Sequence, residues 1–413
     1  MKKYLDKTFF KHIGFSFALP GIRFFYGFLL ASMMSQHLSI QDYGIWSLFI
    51  SMIGLVLTFS SLSLMYSSQV IFPTKKRSEL DKELTHIALF KISITIFIGL
   101  LFLVYMMYQN LFETFIIQLF VLFLLFRTIA DLVFGLLRAL LKVKEQVFFL
   151  FFESFLIIFF LFINIQFISS STESAITSFL IAEVIASLYG YYLLKGHLNF
   201  TKFDFSLIKP YLAIGIPLIP FAFMDLIINA MTPLFIKLYS SLDQVAFYSI
   251  AQKVAMIITI PSSILNNIYT QYLSKSYQKS KTEMLNTLKK FFFLYFVSIL
   301  MMAIILFYFG KNIIVFISSE RYLDSFNMML LLLLANIFVI FSSIFTSIFA
   351  VMKKTKLISV IWIGVLFIYI VLSIVLSQYY QVQGAIYAIL ISFGIGFTSI
   401  VFLTIKELGR DYE

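Results

Sequence analysis

The chain has no cysteine, only two tryptophans and seven prolines, and just 12% of its 413 residues are charged. Each scarcity removes a class of protein. Without cysteine there are no disulfides, no thiol chemistry and no thiolate metal sites. A soluble domain carries about 25% charged and about 45–50% apolar residues. Here 61% are hydrophobic, with 52 Phe and 23 Tyr. So much apolar surface cannot be hidden in water, so the sequence reads as an integral membrane protein and soluble enzyme classes drop out. Its apolar runs are too long for the short alternating strands of a β-barrel. The phosphate-cradling pattern G-x-x-x-x-G-K-[ST] is absent, so ATP is not the direct driver of any movement. His12, His37, His86 and His197 are scattered without metal spacing and read as interfacial side chains. No metal site and no cofactor are expected.

What is present is a series of apolar stretches long enough to span a bilayer. Six are expected in the first half, at about 13–35, 44–65, 87–109, 114–137, 147–168 and 175–195. Six more are expected in the second half, at about 211–236, 245–270, 289–309, 325–351, 357–377 and 384–405. The net charge of +11 then finds its explanation in topology. Lys237, Lys311 and Arg321 fall on one side, and Arg23, Arg127 and Lys253 fall inside spans. All other basic residues gather on the opposite side, Lys2, Lys3, Lys76, Lys91, Arg138, Lys353 and Arg410 among them. Cytoplasmic loops carry the excess of Lys and Arg, which puts both termini in the cytoplasm. The outer loops are short, the longest being about 310–324, so no external domain is expected.

The segment near 196–210 divides the chain into halves, 1–200 and 201–413, each expected to be a six-helix bundle. Weak echoes cross the divide. Asp42-Tyr43-Gly44-Ile45-Trp46 opens the second span, and Gln244-Val245-Ala246-Phe247-Tyr248 opens the eighth. Lys142-Val143-Lys144 follows the fourth span and Lys354-Thr355-Lys356 the tenth. Parallel repeats of this kind are a transporter architecture. Pro20, Pro217, Pro220, Pro233 and Pro261 lie inside spans, where proline removes a backbone donor and bends the helix.

Charges within the spans are the most informative residues. A charged side chain at the bilayer centre costs at least about 2.5–3.5 kcal/mol, and such residues face a cavity or a partner. Arg23, Arg127 and Lys253 are the candidate anion-binding cations. Asp225, Glu183, Glu153 and Asp131 are candidate ion-coupling carboxylates, the last two near enough to the cytoplasmic ends to snorkel. Arg127 and Asp131, four residues apart, share a helix face and could pair. Asp225 and Lys253 could pair across consecutive helices. Arg23 has no carboxylate within helical reach and is the strongest candidate to grip a phosphate. Basic residues among aromatic spans imply an anionic cargo bearing an apolar or sugar part.

Ser39-Ile-Gln-Asp-Tyr-Gly-Ile-Trp46, Leu140-Leu-Lys-Val-Lys144, Asp243-Gln-Val-Ala-Phe-Tyr-Ser249 and Gly384-Ala-Ile-Tyr-Ala388 carry a family resemblance. By their order and spacing the chain resembles the polysaccharide-exporting branch of the multidrug/oligosaccharidyl-lipid/polysaccharide (MOP, MATE-like) exporters, in particular the Wzx-type O-antigen flippases. The resemblance implies an all-α membrane fold of twelve transmembrane helices in two pseudo-symmetric bundles about a cationic cleft. It implies alternating access and an undecaprenyl-diphosphate-linked oligosaccharide as cargo. Membrane lipids and other polysaccharide assembly proteins are the implied partners, the bacterial inner membrane the implied location, and no nucleic acid is involved. Two rivals stand beside it. A cation-coupled multidrug exporter of the same superfamily would favour an acidic cavity, whereas the first span here carries Arg23. An O-antigen polymerase would need a sizeable external loop and paired carboxylates, and neither is found.

Overall fold

The computed structural model describes residues 7–409 apart from 73, 74, 76, 200, 201 and 353. Lys2, Lys3, Lys76, Lys353 and Arg410, placed above on the cytoplasmic side, lie outside the described residues. Among the described residues there are helices and turns but no strand. They pack as two compact units, one running to Ile219 and the other from Pro220.

The first unit contains α1 (Lys7–His37), α2 (Ile40–Ser61), α3 (Leu64–Ile71) and α4 (Arg77–Tyr108). It continues through α5 (Thr114–Ala139), α6 (Val143–Phe167), α7 (Thr172–Leu194) and the short α8 (Lys209–Gly215). Serine starts two of these helices. Ser39 accepts the Asp42 amide at 3.0 Å to cap α2. Ser171 and Ser174 cap α7 reciprocally, satisfying amides that have no intrahelical partner. The expected loop at 66–86 is largely helix, because α3 and the first turns of α4 occupy it. Its left-handed residues are Leu62 (φ 43°) and Ser63 (φ 53°), which turn the chain between α2 and α3. Leu64, Phe72, Leu84, Ile87, Val133 and Tyr211 form a buried core that ties α3, α4, α5 and α8 together.

The second unit begins with a broken helix. A 3-10 segment (Ile216–Ala222) contains Pro217 and Pro220, and α9 (Phe223–Leu226) runs into a π-helical turn (Ile227–Met231) and α10 (Thr232–Tyr239). α11 (Leu242–Ala255) gives way to a 3-10 turn at Met256–Ile258 before α12 (Thr259–Lys279). Pro261 explains that turn, since it withholds an amide from the carbonyl four residues earlier. α13 (Lys281–Ile317), α14 (Ser325–Val351) and α15 (Thr355–Gly409) complete the chain. α13 runs past the expected end of its span, so the connection near 310–324 shrinks to a few residues.

Large apolar side chains stand exposed along whole helix faces, as at Phe97 (64%), Val104 (64%) and Phe293 (66%). Contiguous apolar surface on this scale is stable only in lipid, and the chain is a multi-pass membrane protein. Among the described residues nine helices are long and apolar enough to cross a membrane, or ten if the broken helix counts as one span. The expected count is twelve. α1 is not among the nine, and Lys356–Gly409 is counted once although it has 54 residues. At 1.5 Å per residue that is about 80 Å, far beyond a bilayer core of about 30 Å. It breaks at Gln381, whose φ of 52° is not helical. Gly384 sits at this break, where an added Cβ would meet the Leu376 carbonyl oxygen at 2.2 Å. The two expected spans at 357–377 and 384–405 are therefore two helices that meet at this break.

Candidate functional site: a mid-membrane charge network

The midpoints of five helices in the first unit each carry a charge. Arg23 of α1, Lys91 of α4, Arg127 of α5, Glu153 of α6 and Glu183 of α7 all lie within about two residues of their helix centres, or about 3 Å along the axis. Asp131 lies one turn further along α5. The charges therefore form a layer rather than a scatter.

Arg127 is the hub. Its Nη1 donates to Glu183 Oε1 at 2.7 Å and also to Glu153 Oε1. Glu183 is 1% exposed and Glu153 is also buried, while the Arg127 side chain remains 34% exposed. One guanidinium thus serves two carboxylates from two neighbouring helices. The second oxygen of Glu183 is buried and has no hydrogen-bond partner among the described residues. Two contacts hold these helices in place. Ser187 of α7 donates to the Phe126 carbonyl of α5 at 2.9 Å. Asn164 of α6 donates to Ser178 of α7 at 2.7 Å.

Lys91 and Asp131 form a second pair, with the Lys91 side chain fully buried. Arg23 differs from both basic partners. Its guanidinium carbon lies 4.6 Å from the centre of the Phe134 ring. It stands within Coulombic range of Arg127, Asp131, Glu153 and Arg138, and Tyr26 is within range of Arg127, Glu153 and Glu183. Yet among the described residues no carboxylate lies within 4.0 Å of Arg23, and its side chain is exposed. An arginine stacked on an aromatic ring keeps its donor edge free for an anion.

Several expectations are corrected by this geometry. Arg127 and Asp131 do share a face of α5, but each pairs across helices and not with the other. Glu153 does not snorkel, being buried against Arg127. Asp131 is turned to Lys91. A span starting near residue 87 puts Lys91 at a cytoplasmic helix end. The helix starts at Arg77, which carries Lys91 to mid-membrane. The signal was available, since Lys91 stands in the apolar run Ile87-Ala88-Leu89-Phe90-Lys91-Ile92.

In the second unit Asp225 lies within Coulombic range of Lys253, but the two do not form an ion pair within 4.0 Å. Asp225 accepts from Asn229 at 2.7 Å just ahead of and within the π-helical turn. Lys253 is exposed, with no carboxylate within 4.0 Å among the described residues. The interior of this unit is mainly polar, and its buried Glu407 pairs with Lys354. Thr232 meets the Tyr369 hydroxyl at 2.8 Å, and Tyr248 donates to the Ile228 carbonyl at 2.7 Å. Both contacts stitch the π-helical turn to its neighbours.

Apolar outer faces around a buried charge layer define the class: a multi-pass membrane protein with the fold of MOP-superfamily transporters. An inward-facing multidrug resistance MATE family transporter of that superfamily superposes with a TM-score of 0.73 at 13% identity, covering 94% of this chain and 96% of that one. Lipid II flippase MurJ in an inward closed conformation gives 0.69 at 15% identity, over 96% and 89%. A MOP transporter from Pyrococcus furiosus, described as having a binding pocket of reversed polarity, gives 0.62 at 14% identity, over 95% and 94%. Residues 33–327 match the family described as polysaccharide biosynthesis protein, and the chain belongs to that family. Comparison with curated proteins finds no match.

Proposed function

We propose that this protein is a lipid-linked oligosaccharide flippase of the bacterial inner membrane, with both termini in the cytoplasm. Its cargo is an undecaprenyl-diphosphate-linked repeat unit of O-antigen or capsule, moved by alternating access rather than altered by catalysis. The observation that carries the reading is Arg23. It is a mid-membrane guanidinium on an aromatic ring, with no carboxylate in contact, in a chain of the polysaccharide biosynthesis family. A diphosphate offers the paired oxygens that an arginine fork grips. Arg127 is already committed to two carboxylates, so its part is conditional. When Glu183 or Glu153 takes a proton, Arg127 keeps one full partner and the layer gains a net positive charge that favours the anion. The orphaned second oxygen of Glu183 is the natural place for that proton, because a buried acceptor without a donor is costly. Proton uptake and anion binding would then be coupled through one side chain. Lys253, and Asp225 as an ion site, are secondary candidates in the other unit.

The test is flipping of undecaprenyl-diphosphate oligosaccharide in proteoliposomes by wild type and Arg23→Ala. Expected is transport by wild type and at least about a tenfold loss in the variant, the worth of one charge-assisted contact. Equal transport by both would leave a flippase in which Arg23 is structural. Export of a cationic dye with no lipid movement would favour the multidrug exporter.

A further inference from the structure

We propose that the segment joining the two halves, residues 195–211, is held to α4 by a pair of histidines that need opposite protonation states, forming a pH-tuned clasp. Both rings are buried, unlike the interfacial histidines expected from the sequence. His86 Nδ1 lies 2.7 Å from the Lys82 carbonyl oxygen, and its Nε2 lies 3.1 Å from the Lys202 carbonyl oxygen. A neutral imidazole has one N–H and would point a lone pair at one of these acceptors. Only the imidazolium donates to both. Its surroundings suit a cation. The ring stacks on Phe203 at 5.8 Å, and Asp204 is within electrostatic reach. The hydroxyl and amide of Ser206 hold the Asp204 carboxyl below the usual carboxylate range, so it is charged throughout.

His197 is built the other way. Its Nδ1 lies 3.0 Å from Asp81 Oδ1, and its Nε2 lies 3.0 Å from Lys142 Nζ. The ammonium of Lys142 can only donate, so Nε2 must be bare and the ring neutral. Protonation would set two donors and two positive charges against each other. The remaining charges nearby are engaged elsewhere. Lys195 lies over the Tyr192 ring at 4.2 Å. Glu83 is held by Lys75 and by the Tyr211 hydroxyl at 2.5 Å. Lys82 faces His86 through its carbonyl, its side chain being exposed.

The sign of each contribution follows. The double His86 contact needs the imidazolium, so it is favoured by acid and opposed by base. The His197–Lys142 contact is present at high pH and is lost as pH falls. The two contacts therefore oppose each other: acid works against the His197–Lys142 contact and base against the His86 contact. The Asn199 amide, which donates to Thr85 Oγ1 at 2.8 Å, is a built-in reporter of whether the segment lies on α4.

The experiment is hydrogen–deuterium exchange of residues 195–211 in the full chain in nanodiscs, between about pH 5.5 and 8.5. Rates are corrected for the intrinsic pH dependence of exchange. Wild type is expected to show a protection maximum that falls on both sides by about tenfold, one charge-assisted hydrogen bond's worth. His86→Gln removes the alkaline fall. His197→Asn removes the acid fall. Lys142→Met keeps the ring and removes the like charge, so it too abolishes the acid fall without deleting a buried side chain. Flat protection in wild type, or both falls persisting in the variants, overturns the clasp.

Discussion

Arg127 holds two carboxylates from neighbouring helices on one guanidinium. Removing it leaves Glu153 and Glu183 buried and unpaired, and breaking a buried ion pair from one side costs about 3–5 kcal/mol. Arg127→Ala is therefore expected to lower the thermal midpoint in detergent sharply, and Arg127→Ala with Glu153→Gln and Glu183→Gln to recover most of the loss. A triple variant no more stable than the single one would mean that the network is not paired as described. Glu183→Gln separates the switch from the structure. Its amide oxygen still accepts from Arg127, so the fold is expected to survive, while the pH dependence of transport flattens because the position can no longer change charge. The measurement is initial flipping rate against pH; an unchanged profile would move the coupling role to another carboxylate. The presence of these charges was legible in the sequence, because an ion in an apolar run needs a partner or a cavity. Their partners were not. Spacing along one helix offers Asp131 to Arg127, but the contacts that form come from α4, α6 and α7. No local pattern carries that information.

At the scale of elements, the breaks in the helices are as specific as the helices. Ser39 opens α2 and Ser241 opens α11, each capping an amide three residues on, and Trp46 and Tyr248 then occupy equivalent buried places. The echo read between these two stretches is thus a repeated way of starting a helix. The kink in α15 depends on Gly384, because any Cβ there would collide with the Leu376 backbone. Gly384→Ala is expected to destabilise the protein by about 1–3 kcal/mol, the scale of a locally strained backbone. Gly394→Ala, on the same element, would place its Cβ 3.8 Å from Phe338 in ordinary contact. That variant should melt within about 0.5 kcal/mol of wild type. Paired thermal melts decide the point: equal losses would mean that the kink does not need its glycine. The prolines of the broken helix were readable as bends. The π-helical turn beside Asp225 was not, since the contacts that hold it are tertiary, from Thr232 to Tyr369 and from Tyr248 to Ile228.

For the molecule as a whole, charge and packing have different jobs. Among the described residues the larger ion-pair network lies in one unit around Arg127, while the other unit pairs its buried Glu407 with Lys354 and otherwise packs hydroxyls, amides and aromatic rings. The sequence singles out Arg23 but does not separate Arg127 from Lys253 and Asp225. What distinguishes them is burial and partnership, which only packing decides. Orientation, by contrast, rests on nothing but the alternation of loop charge, and the absence of cysteine makes it directly measurable. Ser280 lies in the Lys-rich connection between α12 and α13, and Ser319 in the short connection between α13 and α14. α13 is apolar and 37 residues long, so the two serines must lie on opposite sides of the bilayer if it spans. Ser280→Cys is expected to react with a membrane-impermeant maleimide only after the cells are opened, and Ser319→Cys in intact cells. The reverse pattern would invert the topology and place the Lys-rich loops outside. Labelling of both from one side would mean that α13 does not cross. That result would also undo the mid-membrane position of the charge layer, because the depth assigned to Arg23 and Arg127 presumes that the long apolar helices run through the bilayer.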